Sequence, residues 1–499
     1  MSAVEKFKKR LAMQGAEDVN EAANDTVSAS KLGSVVALAS QIEAAKAEGQ
    51  QARETAAPAE LQEIINAVAK RYECFFVAPE GSGSYVFEET WDYELNRSAL
   101  RRYKRAAFRE VRDNRLVTIP TQQGSKQVPE VDLWLKSPLR RTFENIALIP
   151  SGECPSDTYN LWRGFGVEAI EGDVTTILDF IKGVICSDKA EYAAYLIRWL
   201  AYAVQYPDRQ AGVVPVLQGG KGIGKSTIGR VMVKIFGQHG LQITATRHLT
   251  GNFNAHLRSA LFLLADEAFY AGDPQGGAVL KGLVTEDYLS IEQKGVDVYQ
   301  VRNRLKIMMC SNSEWVVPAS SDERRYFCLT VSDKYQGDFD YWNRLNSWID
   351  NGGAEAFLHY LLHEVDLSDF NIRAVPQTEA LASQKVQSLE ALPAFLFDAL
   401  SEGAICGRCW DDVKGVEIPT ALFMSGLTEY CQRHPRYRYN IPSARYVGLH
   451  LLEMTGATKG QETGGSRARC YRFPNLSTAR ETFVSWLRLP SFDWAETAK

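Results

Sequence analysis

Eight consecutive residues carry the strongest chemical signal in this sequence. Residues 219–226 read GGKGIGKS, a G-x-x-x-x-G-K-[ST] pattern. Glycines let backbone N–H groups turn inward around phosphate oxygens, the lysine can reach the β- and γ-phosphates, and the hydroxyl can ligate Mg²⁺. We therefore predict a phosphate-binding loop that takes ATP with Mg²⁺. The predicted nucleotide contacts are Gly219, Gly220, Lys221, Gly222, Ile223, Gly224, Lys225, Ser226 and Thr227.

The residues on either side of this loop have the pattern that such a loop requires. The apolar run VVPVL at 213–217 precedes it, and a segment of helical periodicity follows it over 227–236 and stops at Gly237. A strand, a glycine loop and a helix in this order distinguish a phosphate-binding loop from an ordinary glycine turn.

Two acidic residues follow the next strongly apolar run. The segment LFLLADE at 261–267 predicts a buried strand that ends in Asp266 and Glu267. Side chains at the carboxyl ends of parallel strands meet at one edge of a sheet. We expect Asp266 to hold Mg²⁺, directly or through water, and Glu267 to polarise the attacking water, so the second acid indicates hydrolysis rather than binding alone.

A third apolar run, 305–310, ends in Ser311 and Asn312. An amide at this position can hydrogen-bond the γ-phosphate or the lytic water. Arg324 and Arg325 follow, and either could reach the nucleotide of a neighbouring subunit and neutralise transition-state charge. The alternative is that the arginines pair with nearby acids. Spacing does not choose between the two arginines, and we favour Arg324.

The elements that must position these residues alternate between short apolar runs and helical segments over 208–335, which is typical of a parallel sheet covered by helices. We predict an α/β core with an amino-terminal α+β domain and a carboxyl-terminal winged-helix-like domain. The predicted boundaries are a flexible or helical tail at 1–58, an α+β domain at 59–173, a helical collar at 174–207, the ATPase core at 208–335, a helical extension at 336–388 and the winged-helix-like domain at 389–499.

Composition restricts the partners and the compartment. The 499 residues are 45% hydrophobic and 23% charged with a formal net charge of −5, which excludes a uniformly basic coat for nucleic acid. The sequence has no apolar run of the ~18 residues that a membrane span requires, and its amino terminus has no signal-peptide pattern. Nine scattered cysteines suit a reducing compartment. We expect a cytoplasmic protein that does not associate with membranes.

Two stretches are locally basic. Residues 97–115 hold eight Lys and Arg against two acids, and residues 414–488 hold eleven against five. The first is either a nucleic-acid surface or a solvated helix face. The second includes a pair of predicted strands after two predicted helices, and is either a DNA-binding wing or a structural cap.

Four residues near the carboxyl terminus have the spacing of a zinc site. Cys406, Cys409, Cys431 and His434 follow the pattern C-x₂-C-x₂₁-C-x₂-H, which could bind zinc tetrahedrally. The cysteines could equally remain without a metal, and the sequence leaves both interpretations open.

Four segments stand in a characteristic order: GGKGIGKS, LFLLADE, EDYLSIEQKGVDVYQVRN, and LKIMMCSN followed by DERRYF. This order resembles the superfamily 3 helicases, the AAA+-like hexameric motors of small DNA viruses, phages and plasmids. The segments NLWRGFGVEAIEGD, WLAYAVQYP and GNFNAHL look like the phage branch that is often described as primase-helicases. The resemblance covers roughly the middle third of the chain.

The resemblance implies a hexameric ring that translocates 3′ to 5′ on single-stranded DNA. It implies that Lys294, in a hairpin of the central channel, contacts the DNA backbone, although a lysine in a polar hairpin is otherwise ordinary surface. Lys281 is a weaker candidate for DNA contact. The resemblance further implies that Asn312 is the sensor and that Arg324 or Arg325 is the arginine finger.

One feature of many relatives does not appear in the sequence. Residues 1–150 contain no apolar strand ending in an Asp-x-Asp pair, which a primase-polymerase domain would need to hold its metal ions. We therefore expect a separate primase or polymerase to make primers.

The sequence as a whole predicts an ATP-dependent DNA helicase or translocase of a phage-like replication system, acting on single-stranded or forked DNA in the cytoplasm of a bacterial host. The alternative is an origin-binding or assembly protein that ATP switches between oligomeric states without unwinding. A nucleoside triphosphatase in host takeover or defence would carry the same motifs.

Overall fold

The computed structural model describes residues 59–94, 97–121, 124–245, 254–267, 274–293, 296–462, 468–489, 492 and 494. Contacts divide the chain into two units. Among the described residues, one unit contains those from 59–76 and 103–141, and the other contains those from 77–102 and 142–494. The domain boundaries drawn from the sequence stay predictions.

The smaller unit is held together by aromatic rings. The elements up to residue 136 are α1 (Ala59–Arg71), β1 (Phe75–Glu80), β2 (Gly83–Asp92), β3 (Arg97–Lys104), α2 (Arg105–Glu110), β4 (Leu116–Thr121), β5 (Gly124–Pro129) and α3 (Glu130–Lys136). In the smaller unit, Tyr72 stacks on Trp134 with ring centroids 5.4 Å apart. Phe75 meets Phe108 edge-on at 5.1 Å.

The basic stretch at 97–115 is not a helix face. Residues 97–104 form strand β3, and only the next six residues are helical. The helix interpretation is wrong for residues 97–104, which form a strand whose side chains are all half-buried or exposed. Several of its cations also have partners: Arg102 pairs with Glu80 at 2.8 Å, and the Arg112 guanidinium lies 4.2 Å from the Phe108 ring centroid.

The larger unit continues with alternating strands and helices. These are β6 (Asn145–Ala147), β7 (Thr158–Asn160), α4 (Thr175–Phe180), α5 (Ala190–Gln205), β8 (Val214–Gln218), α6 (Lys225–Phe236), β9 (Gly240–Ile243), β10 (Phe262–Asp266), α7 (Pro274–Thr285), β11 (Tyr288–Gln293), β12 (Val296–Arg302), β13 (Lys306–Ser311), β14 (Tyr326–Thr330), α8 (Phe339–Trp348), α9 (Ala354–His363) and α10 (Glu379–Gln387). None of the described helices is long and apolar enough to cross a membrane.

A five-stranded parallel sheet organises this unit, in the order β14-β8-β13-β10-β9. Its strands are apolar on both faces, as strands covered by helices must be. On β10, Phe262 and Leu264 pack into one hydrophobic cluster with α4, α5 and α6, while Leu263 and Ala265 pack into a second cluster on the opposite face. The predicted α/β core with a parallel sheet is confirmed.

The carboxyl-terminal elements share a separate hydrophobic cluster. They are α11 (Ala391–Glu402), β15 (Ala404–Ile405), β16 (Arg408–Cys409), β17 (Val416–Pro419), α12 (Thr420–Arg433), α13 (Ala444–Thr455), β18 (Thr458–Gln461), β19 (Arg469–Phe473) and α14 (Leu476–Leu487). Strands β17, β19 and β18 form an antiparallel sheet in that order. We call residues 389–489 the C-terminal module.

Candidate functional site

The glycine loop lies where strand β8 passes into helix α6, at the carboxyl edge of the parallel sheet. Gly224 immediately precedes the helix with φ +84, in the left-handed region that favours glycine. A Cβ atom there would also lie 2.3 Å from the Trp342 ring. Any side chain at this position would therefore strain the backbone and displace the tryptophan.

Lys225 is buried in the loop, with 7% of its surface exposed. Its Nζ donates to the Gly219 carbonyl at 3.0 Å, to the Gly220 carbonyl, and to Asn312 Oδ1 at 2.6 Å. An ammonium has three protons, so these three acceptors use its full donor capacity. Burial lowers the pKa of Lys225, and the nearby Glu267 and Asp266 act in the opposite direction.

Ser226 and Asp266 form the second pair of the site. Ser226 Oγ donates to Asp266 Oδ1 at 2.8 Å. The other carboxylate oxygen accepts from Gln242 Nε2 at 3.0 Å, so neighbouring strand β9 fixes the orientation of Asp266. Hydroxyl and carboxylate oxygens this close together suit a small hard cation such as Mg²⁺.

Glu267 follows β10 with φ +57, a left-handed conformation that is uncommon outside glycine. Its backbone N–H donates to the Cys310 carbonyl at 2.9 Å. Its carboxylate is exposed at the same sheet edge and accepts from Ser311 Oγ at 3.5 Å. The strained backbone aims Glu267 away from the strand and leaves the carboxylate accessible to solvent.

The two arginines lie at the opposite edge of the sheet and differ from each other. Arg325 donates to Glu323 through Nε at 2.8 Å and through a terminal nitrogen at 2.7 Å, and the Glu323 side chain is only 2% exposed. This hydrogen bonding raises the pKa of Arg325. Arg324 is exposed, and its backbone N–H, not its side chain, contacts Glu323.

The remaining residues of the predicted loop have structural partners. Ile223 and Thr227 are buried, at 1% and 5% exposure, and Lys221 offers its carbonyl to Gln336 Nε2 at 2.9 Å. Lys281 is exposed on helix α7. Lys294, the predicted DNA contact, lies outside the described residues, although the flanking strands β11 and β12 do form an antiparallel pair.

The possible zinc ligands do not come together. Cys431 is buried in the hydrophobic core of the C-terminal module, whereas Cys409 is exposed on a short hairpin strand. The His434 ring packs against the Tyr430 ring, with centroids 4.3 Å apart and planes tilted by 39°. No group of three or more His, Cys, Asp or Glu among the described residues could hold a metal ion, so the zinc interpretation is wrong.

Sequence reasoning missed Gln242 and Trp342, although both shape the site. Gln242 is a polar residue in the short strand GLQI, and that placement is the signal that could have drawn attention to it. Trp342 lies far along the chain from Gly224, and no local pattern connects the two.

One match to a known protein family covers the segments that form this site. Residues 217–325 match a protein family described as a family of unknown function (DUF5906). The chain is 24% identical over 249 residues to the DNA primase-polymerase of Nitratiruptor phage NrS-1, which covers 47% of this chain and 34% of that relative. The chain therefore spans about a third of the length of the curated relative it matches.

Solved structures extend the likeness over more of the chain. The apo structure of the NrS-1 C-terminal region matches with a TM-score of 0.54 at 15% identity, and covers 83% of this chain and 98% of that one. A second apo structure of the region, in its A form, gives the same TM-score and identity. At this identity the likeness shows a shared fold.

Proposed function

We propose that this chain hydrolyses ATP at the carboxyl edge of its parallel sheet. The observation that carries the proposal is the direct contact among groups from three separate segments: Lys225 with Asn312, and Ser226 with Asp266. Glycines of the loop would bind the phosphates through backbone N–H groups, and Lys225 would exchange loop carbonyls for β- and γ-phosphate oxygens.

The residues present fit a magnesium ion. Ser226 Oγ and Asp266 Oδ1, 2.8 Å apart, offer the oxygen donors that Mg²⁺ prefers, and would hold it directly or through water. When bound, the ion neutralises charge between the β- and γ-phosphates. Glu267 would orient the attacking water and take up its proton, and Asn312, released from Lys225, would hold the γ-phosphate or that water.

We assign the arginine finger to Arg324 of a neighbouring copy. Arg324 precedes β14, whose Tyr326 pairs with Val214 at the start of β8, whereas Thr330 pairs with Gln218 beside the loop. Five residues at ~3.3 Å each separate the two edges by roughly 16 Å, so Arg324 is remote from the loop of its own chain. A ring, which we propose to be a hexamer of superfamily 3 type, would bring the two edges together.

We propose DNA as the substrate on which this ATPase works. The named relative is a DNA primase-polymerase, and this supports a place in phage DNA replication. We propose 3′ to 5′ translocation on single-stranded or forked DNA, with Lys294 and, less directly, Lys281 as DNA contacts.

The C-terminal module supports a role in binding DNA or a partner. Apart from the short hairpin of β15 and β16, the order is α11, β17, α12, α13, β18, β19 and the sheet order is β17-β19-β18, which is the succession expected of a winged helix. We propose that this module is a winged-helix domain appended to the motor.

Strand displacement tests the motor directly. The protein, ATP and Mg²⁺ should release the labelled strand of a forked duplex that has a 3′ tail, and Lys225→Ala should release none. ATP-dependent change in oligomeric state without displacement would favour the alternative of an assembly switch. Absence of ATP turnover with or without DNA would contradict the proposal.

A further inference from the structure

Gln384, in the middle of helix α10, is fully buried although it is polar. Its Oε1 accepts from the backbone N–H groups of Val316 at 2.7 Å and Val317 at 3.1 Å. Its Nε2 donates to Gln218 Oε1 at 3.1 Å and to the Glu314 carbonyl at 2.5 Å. A side-chain amide has two protons and two lone pairs, so every hydrogen-bonding position of this group is used.

These partners belong to the two segments that hold the site. Gln218 is the last residue of β8 and is followed directly by the glycine loop. Residues 314–317 begin two positions after Asn312. The buried Gln384 amide therefore connects β8, which precedes the glycine loop, with residues 314–317, which follow Asn312.

The same segment has a second attachment to the end of α10. Ser388 Oγ accepts from Trp315 Nε1 at 2.9 Å and from the Ala319 backbone N–H at 3.0 Å. The Arg436 guanidinium of the C-terminal module lies 4.2 Å from the Trp315 ring centroid. Residues 314–319 thus have polar attachments to α10 and a cation–π contact with the C-terminal module.

Helix α10 is itself fixed at both ends. Thr378 Oγ1 donates to the Cys328 carbonyl at 2.7 Å on strand β14, which pairs with β8. Lys385 is 2% exposed, and its Nζ donates to the carbonyls of Leu487 at 3.2 Å and Arg488 at 3.3 Å at the end of α14. The helix therefore links the sheet to the C-terminal module, and Gln384 lies next to Lys385 in that link.

We propose that Gln384 is a positioning residue for the nucleotide site. It holds Asn312 against Lys225 by fixing residues 314–317 to the end of β8, and through α10 it makes that spacing depend on the position of the C-terminal module. The role rests on the proposed ATPase function. Misplacing a group that orients a reacting atom by ~1 Å can cost up to about 100-fold in rate, so a residue remote from the chemistry can still control kcat.

The test uses Gln384→Met, which keeps the side-chain length and removes all four hydrogen bonds. We expect kcat for ATP to fall at least about 10-fold while KM changes less than about 3-fold, because the loop that binds phosphate stays intact. Hydrogen exchange at Val316 and Val317 should quicken. Gln384→Glu keeps the acceptor for these two N–H groups and should partly restore their protection. Ser383→Ala, on the exposed face of the same helix, is the matched control.

Gln218→Ala removes the β8 partner of the hydrogen bond between Gln384 and Gln218. Because Gln218 is only half-buried, this variant tests the proposal even where Gln384→Met does not fold. The double variant should lose less in kcat than the product of the two single losses, because both act on one bridge. Full kcat in Gln384→Met or Gln218→Ala, or a fall only in thermal stability, would overturn the positioning role. A wild-type chain without turnover would instead overturn the proposed function.

Discussion

The two edges of the parallel sheet differ in how far their polar groups satisfy one another. At the carboxyl edge, the Lys225 ammonium has three acceptors and the Asp266 carboxylate has two donors, all from the same chain. At the amino edge, Arg325 has the buried Glu323 as partner, while Arg324 is exposed and forms no salt bridge with any residue that the structure describes. We call the hydrogen-bonded residues Lys225, Ser226, Asp266 and Asn312 at the carboxyl edge the closed cluster. The amino edge instead ends in the exposed cation of Arg324.

This difference in pairing indicates different roles for the two edges of the sheet. Groups that bind and orient must be held before the ligand arrives, so they are fixed by contacts within the chain. A cation that acts only on transition-state charge can come from elsewhere, and its side chain need not be fixed in the isolated chain. We therefore propose that the carboxyl edge binds the nucleotide and that the amino edge of another copy completes the site.

Removing the central cation of the closed cluster should have the largest effect. Lys225→Ala deletes the phosphate contact and leaves Asn312 without its partner, so we expect ATP hydrolysis to fall below detection in a phosphate-release assay. Lys234→Ala, an exposed lysine on the same helix, is the control and should hydrolyse ATP normally. Normal turnover in Lys225→Ala would contradict the assignment of the carboxyl edge.

Removing the exposed Arg324 cation should lower kcat and leave nucleotide affinity nearly unchanged. Arg324→Ala should lower kcat on the order of 1000-fold, the lower range for an arginine finger, and leave nucleotide affinity in a fluorescent-analogue titration nearly unchanged. Folding should not suffer, because the side chain is exposed. An unchanged kcat would show that the amino edge takes no part in hydrolysis.

The neighbouring arginine should behave in the opposite way. Arg325→Ala leaves the Glu323 carboxylate buried without its partner, which costs roughly 3 kcal/mol for a buried pair, so the unfolding free energy in urea should fall by about that much. Arg324→Ala should change it by less than about 0.5 kcal/mol. Equal stability of the two variants would remove the distinction between the arginines.

The smallest expected effect is a pH dependence of the unfolding free energy that arises from His239, which immediately precedes β9 at the amino edge. Burial lowers the pKa of His239 to about 4, and its Nε2 accepts a hydrogen bond from the Arg163 backbone N–H at 3.2 Å. The unfolded chain binds a proton more readily, near pH 6.5, so folded stability is lost as pH falls from about 6.5 towards 4. We expect the unfolding free energy to drop by about 2 kcal/mol from pH 7 to pH 5. In His239→Gln this part of the pH dependence should disappear, and an identical profile would contradict it.

The closed cluster could be predicted from the sequence because each of its segments follows an apolar run. VVPVL before GGKGIGKS, LFLLADE and LKIMMCSN each indicate a strand followed by polar residues, and parallel strands bring those ends to one edge. The parallel sheet and the position of helix α6 were predictable for the same reason. The strand at 97–104 was not, because it carries four basic residues and its burial does not follow a two-residue period.

The residues that hold the closed cluster in place could not be predicted from the sequence. Gln384 lies 166 positions from Gln218, and its burial depends on how α10 packs against β14, which no local pattern reports. The choice between Arg324 and Arg325 also required the structure, because adjacent residues differ only in which one meets the buried Glu323 carboxylate.

Mixing two inactive variants tests most directly whether the edges of different copies share one site. Lys225→Ala and Arg324→Ala should each be inactive alone. In an equimolar mixture that reassembles at random, about one interface in four pairs an intact Lys225 with an intact Arg324, so roughly a quarter of wild-type ATPase activity should return. A mixture that remains as inactive as its parts would contradict a site completed by a neighbouring copy.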